Sequence, residues 1–209
     1  MKLLLATGNR HKIREIREIL EDMREMEFLS LVQFPQLPEV VESGSTLKEN
    51  AIQKASHAVS WTHHLSLAED TGLEIDALGG RPGVRSARFA GDQASYEQNI
   101  EKVLSLMRQI PSERRGGRFR SVVAIAEPGG GLHIFEGICE GLITTERRGK
   151  GGFGYDPIFE VAGFGKTFAE MEPDQKNRIS HRALALQRAR VCLRELSRGQ
   201  NPPSSKGLA

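Results

Sequence analysis

Leu3-Leu4-Leu5-Ala6-Thr7-Gly8-Asn9-Arg10-His11-Lys12-Ile13 joins a short apolar run to a small polar turn and the start of a helical repeat. Leu3 to Ala6 reads as a buried strand. From Arg10 onward Ile13, Ile16 and Leu20 fall at helical spacing, with Lys12, Arg14, Glu15, Arg17 and Glu18 on the other faces. Asn9 stands where an N-cap is needed. Such a turn presents backbone N–H groups and the positive end of a helix dipole, a geometry that suits anions. Lys12, in the first helical turn, adds a mobile positive charge. The pattern is too short to specify phosphate by itself.

Outward from this unit, Glu27 to Phe34 reads as a second strand, followed by a loop punctuated by Pro35 and Pro38. Glu39-Val40-Val41-Glu42-Ser43-Gly44-Ser45 is a turn rich in small polar residues. Thr46 with Glu49 makes a capping box for a helix that continues through Leu47, Asn50, Ala51, Lys54, Ala55, Ala58 and Val59 toward Trp61. Leu65 to Ala68 is a short strand ending in Glu69-Asp70-Thr71-Gly72, with a further apolar strand expected over Leu73 to Leu78. Adjacent carboxylates at the end of a buried strand repel each other and need a cation or donors in compensation. Magnesium fits that role, since it takes one or two carboxylates and completes its shell with water and substrate phosphate. An ordinary acidic turn would look the same.

Gly79-Gly80-Arg81-Pro82-Gly83 is a dense turn before Val84-Arg85-Ser86-Ala87-Arg88. A helix is expected over Ser95 to Ile110, and Arg114 to Arg118 reads as the solvated entry of a strand. Val122 to Ala126 and Leu132 to Phe135 form a hairpin across Pro128-Gly129-Gly130-Gly131, and Glu136 to Thr145 extends the sheet. Gly151-Gly152-Phe153-Gly154-Tyr155-Asp156-Pro157 is a ligand loop or a plain tight turn: its glycines allow close approach, Phe153 and Tyr155 offer ring faces, and Asp156 is a fixed acceptor. After a polar stretch with Pro173 and Lys176, Ser180 is expected to cap a final helix opening on His181-Arg182. Basic residues at a helix start oppose its dipole, and an anion there would account for them.

The 209 residues suffice for one good-sized core, so residues 1–198 read as a single domain and 199–209 as a frayed tail. Basic and acidic residues number 29 and 27, a net charge of +2 that provides no general drive toward nucleic acid or an anionic membrane. No apolar run approaches the roughly 18 residues of a membrane span. Cys139 and Cys192 lie far apart without metal-like spacing and read as reduced thiols of a cytoplasmic protein. A Walker pattern and a kinase signature are both missing.

Thr7 to Lys12, Glu69-Asp70-Thr71-Gly72-Leu73, Gly79 to Gly83 with Ser86-Ala87-Arg88, Gly151 to Phe159 and Ile179-Ser180-His181-Arg182 occur in order along the chain. In these motifs the chain resembles the inosine/xanthosine triphosphate pyrophosphatase family, and within it the bacterial non-canonical purine NTP pyrophosphatases. The resemblance implies an elongated α/β fold with a mixed, twisted central sheet flanked by helices, in two lobes with a cleft. It implies homodimers that hydrolyse ITP, dITP and XTP to the monophosphate and pyrophosphate with magnesium, cleansing the nucleotide pool. By matching position, Asp70 would be general base and metal ligand, and Glu42 a second ligand. Glu69 stands where relatives often carry aspartate and would lend a further carboxylate. Thr7, Gly8, Asn9, Arg10, His11 and Lys12 would hold the phosphates, Lys12 also stabilising charge in the reaction. Thr71, Phe153, Gly154, Tyr155, Asp156, Lys176, His181 and Arg182 would contact the nucleotide.

Two other readings fit part of the pattern. A Maf-like pyrophosphatase for modified pyrimidine triphosphates would share the phosphate and metal ends. A non-catalytic nucleotide or nucleic-acid module would use Arg81, Arg85, Arg88 and the Arg114 to Arg120 patch. Near-zero net charge speaks against nucleic acid, and an idle Glu42/Asp70 pair against a pure sensor.

Overall fold

The computed structural model describes residues 1–199, so the expected tail falls almost wholly outside the described residues. Six strands form one mixed sheet in the order β2-β1-β3-β4-β5-β6. They are β1 (Lys2–Leu5), β2 (Glu27–Ser30), β3 (Leu65–Ile75), β4 (Gly116–Ala126), β5 (Leu132–Ile143) and β6 (Phe159–Val161). Helices α1 (Arg10–Ile19), α2 (Leu47–Thr62), α3 (Tyr96–Leu106), α4 (Pro173–Ile179) and α5 (His181–Ser197) flank the sheet. β1 runs parallel to β2 and β3, and β5 pairs antiparallel with β6. Parallel β1 and β2 need a crossover, which α1 supplies.

Two compact units emerge. The first comprises residues 1–70, 121–137 and 182 onward; the second, residues 71–120 and 138–181. The first has a core of Leu3 and Leu5, Ile16 and Ile19 of α1, Leu65 and Leu67, Val123 and Ile125, and the Ala183, Leu186, Ala189 and Leu193 stripe of α5. The second is built from Leu73, Ile75, Ile100, Val103, Phe119, Ile143, Ile158, Phe159 and Phe168. Its aromatic centre is close-packed: Phe119 meets Phe159 edge-on at 4.7 Å, and Phe159 stacks on Phe168 at 5.5 Å. Each core contains one buried, free thiol, Cys192 in the first and Cys139 in the second. Among the described residues no helix is long and apolar enough to cross a membrane.

Several sequence expectations change. β3 is one uninterrupted strand from Leu65 to Ile75, so Glu69-Asp70 lies inside it and not in a turn. β2 ends at Ser30, where a 3-10 turn begins, four residues short of Phe34. α3 stops at Leu106, before Ile110. The polar stretch before α5 is a helix of its own, α4, with Pro173 in its first turn, where a missing N–H costs nothing. Ser180 closes α4 as its C-cap residue and also keeps its expected place directly before α5. The expected basic patch is not a solvated entry either. Arg115 is 4 % exposed and donates to the carbonyls of Met107, Ile110, Ile143 and Thr144, tying the end of α3 to the end of β5. Arg118 pairs with Asp76 and Glu140, and Arg120 with Glu74.

Candidate active site

In the first unit the site grows from three pieces: the turn after β1, the loop before α2, and the middle of β3. The turn is capped as its sequence predicts. The Asn9 side chain accepts from the backbone N–H groups of His11 and Lys12 at 3.0 and 3.2 Å. Two amides of this helix N-terminus are therefore already engaged by the protein. What the turn still presents is exposed Gly8, Arg10 and His11, half-buried Thr7, and the Lys12 side chain. Gly8 has an ordinary φ, and a Cβ built on it would meet nothing within 4 Å.

Successive residues of a strand face opposite sides of the sheet. Glu69, like Leu65 and Leu67, points to the side where α1 and α5 pack. Its carboxylate is 1 % exposed; it accepts from Ser121 Oγ at 2.7 Å, and it pairs with Arg182 at 3.0 Å and with Lys12 at 2.9 Å. Arg182 also pairs with Glu15. Glu69 therefore does not share a site with its neighbour Asp70, as the adjacent-carboxylate argument supposed. The anion that offsets Arg182 at the start of α5 is likewise a pair of the protein's own side chains.

Asp70 faces α2. Asn50 Nδ2 donates to Asp70 Oδ2 at 3.3 Å, and Lys54 Nζ donates to Asp70 Oδ1 at 2.7 Å. Lys54 Nζ also reaches Glu42 Oε1 at 2.9 Å and the Glu69 carbonyl at 3.1 Å. Asn50 and Lys54 sit one turn apart on α2 and so on one face. The Glu42 loop is fastened to the same helix: Gly44 N donates to Asn50 Oδ1 at 2.9 Å, and Gln53 donates to the Val41 carbonyl at 3.1 Å. A side chain at Gly44 would lie 2.5 Å from Asn50 Oδ1, so this close approach requires glycine. The capping box holds as expected, with Thr46 accepting from Glu49 N at 3.1 Å and Glu49 accepting from Thr46 N at 3.2 Å.

Burial raises the pKa of Asp70, against the pull of Lys54 and Lys12, and Glu42 adds to the rise. A carboxylate made more basic in this way suits a proton acceptor. For Lys54 burial works toward the neutral form, but Asp70 and Glu42 outweigh it and its pKa is raised. Glu42 and Asp70 thus aim carboxylate oxygens at one point, with the Glu69 carbonyl third. An all-oxygen donor set of this kind fits a hard divalent cation that keeps most of its waters. Among the described residues no group of three or more His, Cys, Asp or Glu side chains gathers into a metal site.

In the second unit the glycine loop is organised inward around Asp156. Asp156 is 2 % exposed and accepts from Phe153 N at 2.8 Å and from Lys176 Nζ, on α4, at 2.5 Å. Gly152 has φ +70°, and any side chain there would collide with the Asp156 carboxylate. Tyr155 is buried and donates its hydroxyl to the Ser86 carbonyl at 2.8 Å. Expected as a face for the nucleoside, it belongs to the core instead. Phe153 remains half-exposed, with Lys176 Nζ 4.9 Å from its ring centroid and Tyr96 at 6.2 Å. Gly154 and Thr71 are half-buried. His181 is 3 % exposed and stacked on Phe119 at 4.6 Å, with 12° between the rings.

The residues that the sequence reading passed over are Glu15, Asn50, Lys54 and Ser121. A polar pair at i, i+4 within the alanine face of α2 was the available signal for Asn50 and Lys54. For Glu15 and Ser121 there was none.

A curled mixed sheet with an acidic pair drawn from the loop before α2 and from β3, and a lysine on the first helix, defines the class, and residues 3–191 match the model of the Ham1 family. The chain belongs to the Ham1 family. A dITP/XTP pyrophosphatase of Desulforamulus reducens is 49% identical over 196 residues, 94% of this chain and 97% of that relative. One of Bacillus subtilis is 50% identical over 149 residues, 71% of this chain and 75% of the other. Among solved structures, a HAM1 protein from Coxiella burnetii aligns with a TM-score of 0.85 at 41% identity, covering 93% of this chain and 99% of that one.

Proposed function

We propose that this chain hydrolyses the non-canonical purine triphosphates dITP, ITP and XTP to the monophosphate and pyrophosphate, clearing deaminated purines from the nucleotide pool. The observation that carries this reading is the convergence of the Glu42 and Asp70 carboxylates on one point, with Lys12 close enough to bear on Asp70. The pyrophosphatases of D. reducens and B. subtilis extend it to the substrate class.

In the reaction a water attacks the α-phosphorus, the bond from that phosphorus to the bridging oxygen breaks, and pyrophosphate departs. Asp70 accepts the water's proton, and Asn50 holds its second oxygen in place. Lys12 stabilises charge on the phosphate oxygens. Glu42 and Asp70 would hold magnesium, which when bound neutralises triphosphate charge and aligns the reacting groups. Thr7, Gly8, Arg10 and His11 take the phosphate end. Phe153 offers its ring to the base, and Gly154, Thr71 and Lys176 contact the nucleoside. Asp156 holds Lys176, while Glu69 pairs with Lys12 and Arg182 braces Glu69. A 6-oxo purine accepts where adenine would donate, so amide or ammonium donors near Phe153 reject adenine by being left unpaired. We read the working form as a cytoplasmic homodimer, which sedimentation equilibrium would test.

Pyrophosphate release from dITP, ITP, XTP, dGTP and dUTP, with and without magnesium, tests the whole reading. Turnover of the first three with magnesium is expected. Preference for dUTP would favour a Maf-like activity, and cleavage of no triphosphate would reject catalysis. Asp70→Asn should lose at least ~100-fold in kcat, the lower range for a general base; full turnover by this variant would remove that role.

A further inference from the structure

Lys54 occupies the point on which Glu42 and Asp70 converge. Its ammonium nitrogen lies 2.7 Å from Asp70 Oδ1, 2.9 Å from Glu42 Oε1 and 3.1 Å from the Glu69 carbonyl oxygen. Those oxygens surround it much as they would surround a metal ion, whose Mg–O distances are shorter, about 2.1 Å. Two cations cannot use the same oxygens at these separations. Without a cation the two carboxylates would repel each other in a largely buried setting, since Asp70 is only 7 % exposed. The lysine side chain is 14 % exposed and so not fully enclosed, and its flexible four-carbon stem has other rotamers.

We propose that Lys54 is a resident counter-ion that keeps Glu42 and Asp70 assembled before the divalent ion arrives, and that metal binding proceeds by expelling its ammonium from this seat. This rests on the reading of Glu42 and Asp70 as metal-holding residues. Metal affinity is then set by a competition built into the chain, and the residue at position 54 tunes it. A neutral side chain of similar length removes the competitor, and a guanidinium, planar and able to grip both carboxylates, strengthens it.

The test is Mn2+ binding without nucleotide, read from the free-ion signal in electron paramagnetic resonance, for the wild type, Lys54→Gln, Lys54→Arg and Asp70→Asn. Thermal unfolding of each variant confirms that it is folded. Lys54→Gln should bind at least about ten-fold more tightly than the wild type, and Lys54→Arg at least about ten-fold more weakly, the scale expected for one unit charge close to the ion. A purely structural role for Lys54 would weaken binding in both. If Asp70→Asn abolishes binding while Lys54→Gln binds no tighter than the wild type, the exchange is wrong and the metal assignment stands. If Asp70→Asn binds like the wild type, or if no protein binds Mn2+, the metal assignment falls and takes the exchange with it. Should Lys54→Gln fail to fold, Lys54→Arg decides alone, and unchanged or tighter binding by it overturns the exchange.

Discussion

Gly8 and Arg182 separate what a residue does for the fold from what it does for a ligand. At Gly8 neither conformation nor crowding demands glycine. On the proposed function, Gly8→Ala should therefore leave the melting temperature unchanged and raise KM for dITP, because an added methyl group would intrude only on the phosphate. A drop in melting temperature with unchanged KM would count against a phosphate role. Arg182 is the converse. It is 1 % exposed and paired with the buried carboxylates of Glu15 and Glu69. Arg182→Met removes the buried cation from both, leaving Glu69 to Lys12 and Ser121, and should cost about 3–5 kcal/mol in urea unfolding; if stability holds and only KM rises, its main partner is the nucleotide. Of the two roles, the sequence suggested only the first. A glycine after a strand advertises close approach, whereas a pairing across 113 residues between Arg182 and Glu69 leaves no local trace.

α2 and β3 show how elements convert pattern into site. The capping box of α2 was legible because it is local: Thr46 and Glu49 lie three apart and satisfy each other's backbone. Its consequence was not, because the helix carries Asn50 and Lys54 to Asp70 across 20 and 16 residues. Thr46→Ala should cost ~1 kcal/mol of stability. As the cap also steadies the turn bearing Asn50, kcat should fall more than KM rises; a KM effect alone would mean that the helix start does not reach Asp70. β3 was misread for a physical reason. Two acids, a threonine and a glycine usually break a strand, but buried on both sides and supplied with partners from α1, α2, β4 and α5 they continue it. The glycine loop was correctly picked out as special, and its inward turn depended on Lys176 from a helix that was itself unseen.

At the level of the whole molecule, the α/β class and the mixed sheet followed from the resemblance that the ordered motifs carry. Two lobes were expected from the resemblance, but where the chain divides was not, since the boundaries fall after Asp70, Arg120, Gly137 and His181, none of them a linker in composition. A membership of buried groups drawn from distant segments has no signature along the chain. It nonetheless gives each core a thiol. Burial, with Glu140 nearby, raises Cys139 to about 11, and burial, with Glu127 and Glu195, raises Cys192 to about 12. The sign follows directly: both thiols bind their protons more tightly when folded, so the stability they add is complete below the ordinary thiol pKa of 9.0 and drains away as pH climbs through about 11 to 12. Native protein at pH 8 should leave a disulfide reagent almost unreacted, while two equivalents of thiol appear at once in guanidinium; prompt reaction in buffer would contradict the burial. The two cysteines are thus a pair of built-in clocks, one for each core. Alkylation followed peptide by peptide would time the breathing of each, and coincident rates would mean that the chain opens as one cooperative body, divergent rates that it opens as two.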